Sequence, residues 1–120
     1  NIKKKYPHIP IIGFPRNVDA LYSDYVKNVN IDCLSVDQSI NIKKLLDNLI
    51  INKGRNICFQ GNLDPEILLH GGNNLINSTK NILEKFSSVN HIFNLGHGVI
   101  KETPVKNIDL LIKTIREWKK

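Results

Sequence analysis

Short apolar runs alternate four times with longer segments whose apolar residues recur every third or fourth position. The first run, Ile9 to Phe14, contains Pro10 and has Gly13 and Pro15 near its exit; Val18, Leu21, Tyr22, Tyr25 and Val29 follow at helical spacing. The second, Ile31 to Val36, precedes Ile42, Leu45, Leu46, Leu49 and Ile50 on one helical face, with Gly54 placed to end that helix. Ile57 to Gln60 forms the third run. After it come the turn residues Gly61-Asn62-Leu63-Asp64-Pro65, then a helix carrying Leu75, Ile76, Thr79, Ile82, Leu83 and Phe86. The fourth run is His91 to Leu95. Its helix starts near Pro104, a residue favoured in the first turn, and the spacing predicts that Val105, Ile108, Leu111, Ile112, Ile115 and Trp118 are buried.

Continuously apolar strands alternating with amphipathic helices predict an α/β fold of four βα units, with parallel strands covered by helices. Such units form either a small open sheet or half of an eight-stranded barrel. Gly13-Phe14-Pro15-Arg16-Asn17, after the first strand, matches neither GxGxxG nor a P-loop, which counts against a nucleotide-binding open sheet. Half a barrel would have two unpaired edges and an uncovered interior, so it should be poorly stable alone.

Composition narrows the classes. The chain has 120 residues, enough for at most one modest domain, and it begins with Asn1, as a piece of a longer protein would. No apolar run approaches the length of a membrane span, and Lys3-Lys4-Lys5 is followed by Tyr6-Pro7-His8 and not by the apolar core of a signal peptide. The net charge of +6 invites a nucleic-acid reading. Five of those charges are Lys3, Lys4, Lys5, Lys119 and Lys120, which leaves 12 basic residues against 11 acidic ones elsewhere. Solvated ends explain the excess better than a binding stripe. Cys33 and Cys58, each alone in an apolar run, read as buried free thiols in a reducing compartment.

Parallel strands gather their exits on one face, where α/β proteins place their chemistry. The exits here carry Arg16, Asp37-Gln38, Gln60 to Pro65, and Gly96-His97-Gly98. Asp64 before Pro65 suits a helix cap, and Asn62 suits bracing of the loop more than substrate contact. Asp37 is either a mouth residue or part of the start of the next helix. Arg16 offers a cationic fork for a carboxylate, or pairs with a neighbouring Asp. His97 stands apart: glycine on both sides removes side chains that would crowd a ligand and permits unusual backbone angles. A metal reading is weak, because His91 and His97 have no Cys or carboxylate pair at a recognised ligand spacing.

Two segments then point to a family. FQGNLDPEILL (Phe59 to Leu69) and HIFNLGHGVIKETPVKNI (His91 to Ile108) resemble, in order, spacing and position near the chain end, the C-terminal signature of uroporphyrinogen decarboxylase. PIIGFPRN (Pro10 to Asn17) and LSVDQS (Leu34 to Ser39) are more weakly similar. The resemblance implies that residues 1–120 are the C-terminal half, four βα units, of a single-domain (β/α)8 TIM barrel whose N-terminal half is missing. It implies a cytoplasmic homodimer that uses no metal or organic cofactor and removes CO2 from the four acetate side chains of uroporphyrinogen III, giving coproporphyrinogen III.

Within this resemblance His97 falls on the family's substrate-contacting histidine, with Arg16 and Asn62 as weaker substrate-binding candidates. The family's arginines, its pyrrole-facing aspartate and its site tyrosine and serine belong to the other half, so the piece alone should be inactive and no catalytic residue is identifiable in it. Gln38 departs from the aromatic that many members carry after the strand aspartate. Two rival readings belong to other classes. Zinc-dependent corrinoid methyltransferases resemble the same fold but place a zinc-binding Cys near the position of His97, and no H-x-C occurs here. A basic nucleic-acid-binding module would need its charge on a folded face. The expected partners are therefore the porphyrinogen substrate and a second copy of the enzyme, with neither nucleic acid nor membrane.

Overall fold

The computed structural model describes residues 2–18, 21–51 and 57–119. Its elements follow the order α1 (Ile2–Lys5), β1 (Ile12–Gly13), α2 (Tyr22–Asn28), β2 (Cys33–Ser35), α3 (Ile42–Ile51), β3 (Cys58–Leu63), α4 (Pro65–His70), α5 (Gly72–Lys85), β4 (His91–Leu95) and α6 (Val105–Glu117). The four strands form one parallel sheet in the sequential order β1-β2-β3-β4. A doubly wound sheet would reverse its strand order part-way; this one does not. Right-handed crossovers between sequential parallel strands put every connecting helix on the same side.

The register separates two faces. Ile12, Cys33 and Cys58 form one cross-strand row, and Ser35, Gln60 and Ile92 another, on the same side of the sheet. On the opposite side lie Leu34 and Phe59, both buried in the cluster that includes Tyr22, Val36, Leu63, Leu75 and Phe86. That is the helix-covered core. The other face is only partly covered, for Ile12 remains 49% and Ile92 45% exposed. At the core side of β4, the His91 ring stacks on Phe86 at 4.2 Å and its Nε2–H donates to the Gly61 carbonyl at 2.7 Å. Burial pushes the His91 pKa down, and the bond to Gly61 opposes that shift without cancelling it.

Several elements differ from the sequence pattern. Strand β3 continues through Gly61-Asn62-Leu63, which read as turn residues, because β4 supplies register partners as far as Leu95. The helix expected after Pro65 is two helices. Asp64 caps α4 by accepting the Glu66 N–H at 2.9 Å, and α4 ends at Gly71 with φ +69°. A Cβ on Gly71 would lie 2.4 Å from Asn107 Oδ1, so the chain breaks where α6 closes in. Leu75, Thr79, Ile82 and Leu83 of α5 are buried as expected, and Phe86 caps its end.

On α6 the buried face is only partly the predicted one. Leu111 is buried and Ile108, Ile115 and Trp118 are half-buried as expected, but Val105 is 72% and Ile112 41% exposed, and Asn107 and Thr114 are buried in their place. The reason is polar: Asn107 Nδ2 donates to the Leu68 and Leu69 carbonyls, both at 2.9 Å, which the end of α4 leaves without helical partners. Pro104 precedes the helix as its cap residue instead of sitting in its first turn. Helix α2 is shorter than the apolar spacing suggests, with Leu21 exposed and Val29 as its C-cap. The exposed α1 falls outside the four-unit pattern; Lys3 pairs with Asp32 at 2.7 Å. Gly54, expected to end α3, lies outside the described residues.

Candidate functional site at the strand exits

The exits of the four strands meet at one end of the sheet, and hydrogen bonds tie them together. Past β4, the Gly96 N–H donates to the Leu63 carbonyl at 2.8 Å; past β2, the Val36 N–H donates to the Gln60 carbonyl at 2.9 Å. Asn62 is buried, and its Nδ2 donates to the Asp37 carbonyl at 2.9 Å, which makes it a brace between the third and second exits. Asp64 turns to α4, as its capping bond shows.

His97 is exposed in the loop after β4. Its Nδ1 accepts the Gly98 N–H at 2.7 Å. An imidazole nitrogen that accepts must carry a lone pair, so the neutral ring holds its proton on Nε2 and keeps that N–H as a donor. The flanking glycines serve different ends from those expected. Neither has a positive φ. A Cβ on Gly96 would fall 2.3 Å from Gln38 N and 2.9 Å from the Asp37 carbonyl carbon, whereas one on Gly98 would meet nothing within 4 Å. Gly96 is thus a packing requirement of the loop, and only Gly98 leaves open space beside the imidazole.

Asp37 is the group that sequence reasoning underrated. It is 5% exposed, which removes it from the open mouth, and it does not cap α3, where Asn41 Oδ1 accepts the Lys44 N–H at 3.1 Å. Its Oδ2 accepts the Asn17 N–H at 3.1 Å and the Tyr22 hydroxyl at 3.2 Å; its Oδ1 accepts the Ser39 N–H at 3.0 Å and the Ser39 hydroxyl. Burial pushes its pKa up, but the Ser39 hydroxyl, the Asn17 and Ser39 N–H groups and the Tyr22 hydroxyl outweigh that and hold it below the usual carboxylate range. The Asp-x-Ser spacing after a strand is a readable sign of the Ser39 half of this arrangement. The Tyr22 and Asn17 halves arise only from tertiary packing.

Arg16 is exposed directly before Asn17, whose φ of +54° is a conformation asparagine tolerates. The two cysteines are free, yet they are not isolated from one another: Cys33 and Cys58 are register partners on β2 and β3. Burial and the adjoining Cys58 thiol push the Cys33 pKa up to about 12, so this thiol stays protonated and unreactive. Among the described residues, no three His, Cys, Asp or Glu side chains are grouped to hold a metal ion, and His91 is committed to Gly61.

The comparisons with known proteins bear on the same segments. A family model described as uroporphyrinogen decarboxylase (URO-D) matches residues 1–118. The chain belongs to the uroporphyrinogen decarboxylase family. Among its relatives, the uroporphyrinogen decarboxylase of Cereibacter sphaeroides is 40% identical over 96% of this chain, and that of Novosphingobium aromaticivorans 38% identical over 98%. The protein of the same name from Orientia tsutsugamushi is 37% identical over 98%. In each case the chain spans 33% of the relative's length. Membership in the uroporphyrinogen decarboxylase family does not favour the methyltransferase reading. The basic-module reading also loses ground, since the matched segments account for nearly the whole chain.

Proposed function

We propose that this chain is the C-terminal part of a uroporphyrinogen decarboxylase, four βα units of a (β/α)8 barrel, and that it forms one wall of the substrate pocket. The carrying observation is His97: the segment that matches the family's signature puts an exposed imidazole, with Nε2–H free to donate, at the carboxyl end of a parallel strand. Sequential strand order and a sheet face left open at Ile12 and Ile92 support the barrel. In a closed barrel that face is filled by layers of inward side chains from all strands.

The reaction removes CO2 from each acetate arm of uroporphyrinogen III. Protonation of a pyrrole ring makes the substrate an electron sink; the carboxyl carbon leaves as CO2, its bonding pair moves toward the ring, a proton delivered to the side-chain carbon completes a methyl group, and loss of the proton first placed on the ring restores the pyrrole. The protein supplies placement, proton transfer and countercharge, and the reading calls for no cofactor. His97 Nε2–H donates to a substrate carboxylate, Arg16 offers countercharge to another, and Asn62 braces the wall from beneath. The remaining groups come from the rest of the barrel, and the complete enzyme acts as a cytoplasmic homodimer.

Anaerobic incubation of the complete protein with uroporphyrinogen III tests this directly. Stepwise appearance of hepta- to tetracarboxylate porphyrinogens is expected, and substrate left intact under conditions where a reference decarboxylase turns over would refute it.

A further inference from the structure

We infer that Asp37 is a positioning residue that fixes the two substrate-facing loops, Arg16-Asn17 and Gly96-His97, relative to one another. The inference rests on the decarboxylase reading for the identity of the substrate, but its geometry stands apart from it. One dipeptide, Asp37-Gln38, touches both loops. On one side Asp37 Oδ2 holds the Asn17 N–H at 3.1 Å, next to Arg16, in a turn where Asn17 takes φ +54°. On the other side Gly96 is packed so closely on Gln38 N and the Asp37 carbonyl carbon that no Cβ fits between them. Asn62 reaches the same point from β3 through the Asp37 carbonyl.

Four donors then converge on a carboxylate that is almost wholly buried. A group placed only to cap the local turn would need Ser39 alone. The bonds from Asn17 and Tyr22 span 20 and 15 residues, so they hold separate elements together. With Asp37 in place, shifts of the first exit are transmitted to the fourth through a carboxylate and a backbone contact, not through a flexible side chain.

Two substitutions in the complete protein test this. Asp37→Asn keeps the shape but turns one acceptor oxygen into a donor facing donors. Tyr22→Phe removes a single hydroxyl and keeps the ring in the core, so it folds even if the first variant does not. The readout is the imidazole nitrogen signals of His97 in protein labelled with nitrogen-15 at histidine, assigned by loss of the His97→Ala signals. Alongside it, kcat/KM for uroporphyrinogen III is measured. Both variants should shift the His97 signals toward averaged tautomers, as the Gly98 bond to Nδ1 loosens, and lower kcat/KM roughly tenfold or more, since small displacements of binding groups cost that much. His97 signals unchanged in both variants would overturn the inference, even with reduced thermal stability, because Asp37 would then be purely structural. If the parent protein does not turn over uroporphyrinogen III, the decarboxylase reading fails while the nitrogen signals still decide the role of Asp37.

Discussion

Gly96→Ala probes the contact on which the His97 loop rests. The added methyl carbon would stand 2.3 Å from Gln38 N, 2.7 Å from Gln38 Oε1 and 2.9 Å from the Asp37 carbonyl carbon. The Gln38 side chain can swing away, but the two backbone atoms belong to a turn pinned by Asp37 and Asn62. Forcing a methyl into a packed site of this kind costs about 1–3 kcal/mol. The substitution also restricts the unfolded chain, which returns about 0.4–1 kcal/mol. Relative to the parent, the net expectation lies between no change and a loss of about 2.6 kcal/mol, taking those ranges together. Gly98→Ala is the internal control. Its Cβ would meet nothing within 4 Å and its φ is not positive, so it shares the unfolded-state gain without the packing cost and should be about 1–3 kcal/mol more stable than Gly96→Ala. Urea unfolding of the complete protein, followed by circular dichroism and fluorescence, measures both. Equal stability of the two variants would show that the Gly96 contact is not tight, and the account of this loop would be wrong.

Asn107→Ala removes the amide that meets the Leu68 and Leu69 carbonyls, and should cost about 1–3 kcal/mol in urea unfolding; an unchanged midpoint would mean those carbonyls find other partners. His91 and Asp37 both make stability fall on acidification. Folding lowers the pKa of His91 below its ordinary 6.5, so the unfolded chain binds the proton first and stability declines as pH drops below 6.5. Asp37 is likewise lowered from 3.8, so its contribution is full above 3.8 and is lost as pH falls through its folded value. A stability profile flat from pH 7 to pH 5 would contradict the account of His91 as a half-buried ring whose pKa is lowered on folding.

The fold was legible where a single period governs a segment. The apolar runs located all four strands, β4 to the residue, because a parallel strand covered by helices needs continuous apolar character. Positions set by tertiary polar contacts were not legible. Gly61-Asn62-Leu63 carry turn residues yet extend β3, because β4 pairs with them. Asn107 occupies the inward side of α6, where hydrophobic spacing predicts Val105 and Ile112, because it answers the open end of α4. The position of His97 just past the end of β4 could be read from its neighbours in sequence. The surroundings of Asp37 could not, since its partners Asn17 and Tyr22 come from the preceding βα unit and nothing in a one-dimensional pattern links them.

The central claim is that the exposed imidazole after β4 binds a carboxylate of the substrate. Steady-state decarboxylation of uroporphyrinogen III by the complete protein and by its His97→Ala variant tests it most directly. Removing a hydrogen bond to a charged group costs about 1.5–3 kcal/mol, so kcat/KM should fall roughly ten- to a hundredfold while the unfolding midpoint stays near that of the parent. A variant with the parent's kcat/KM would take His97 out of the site.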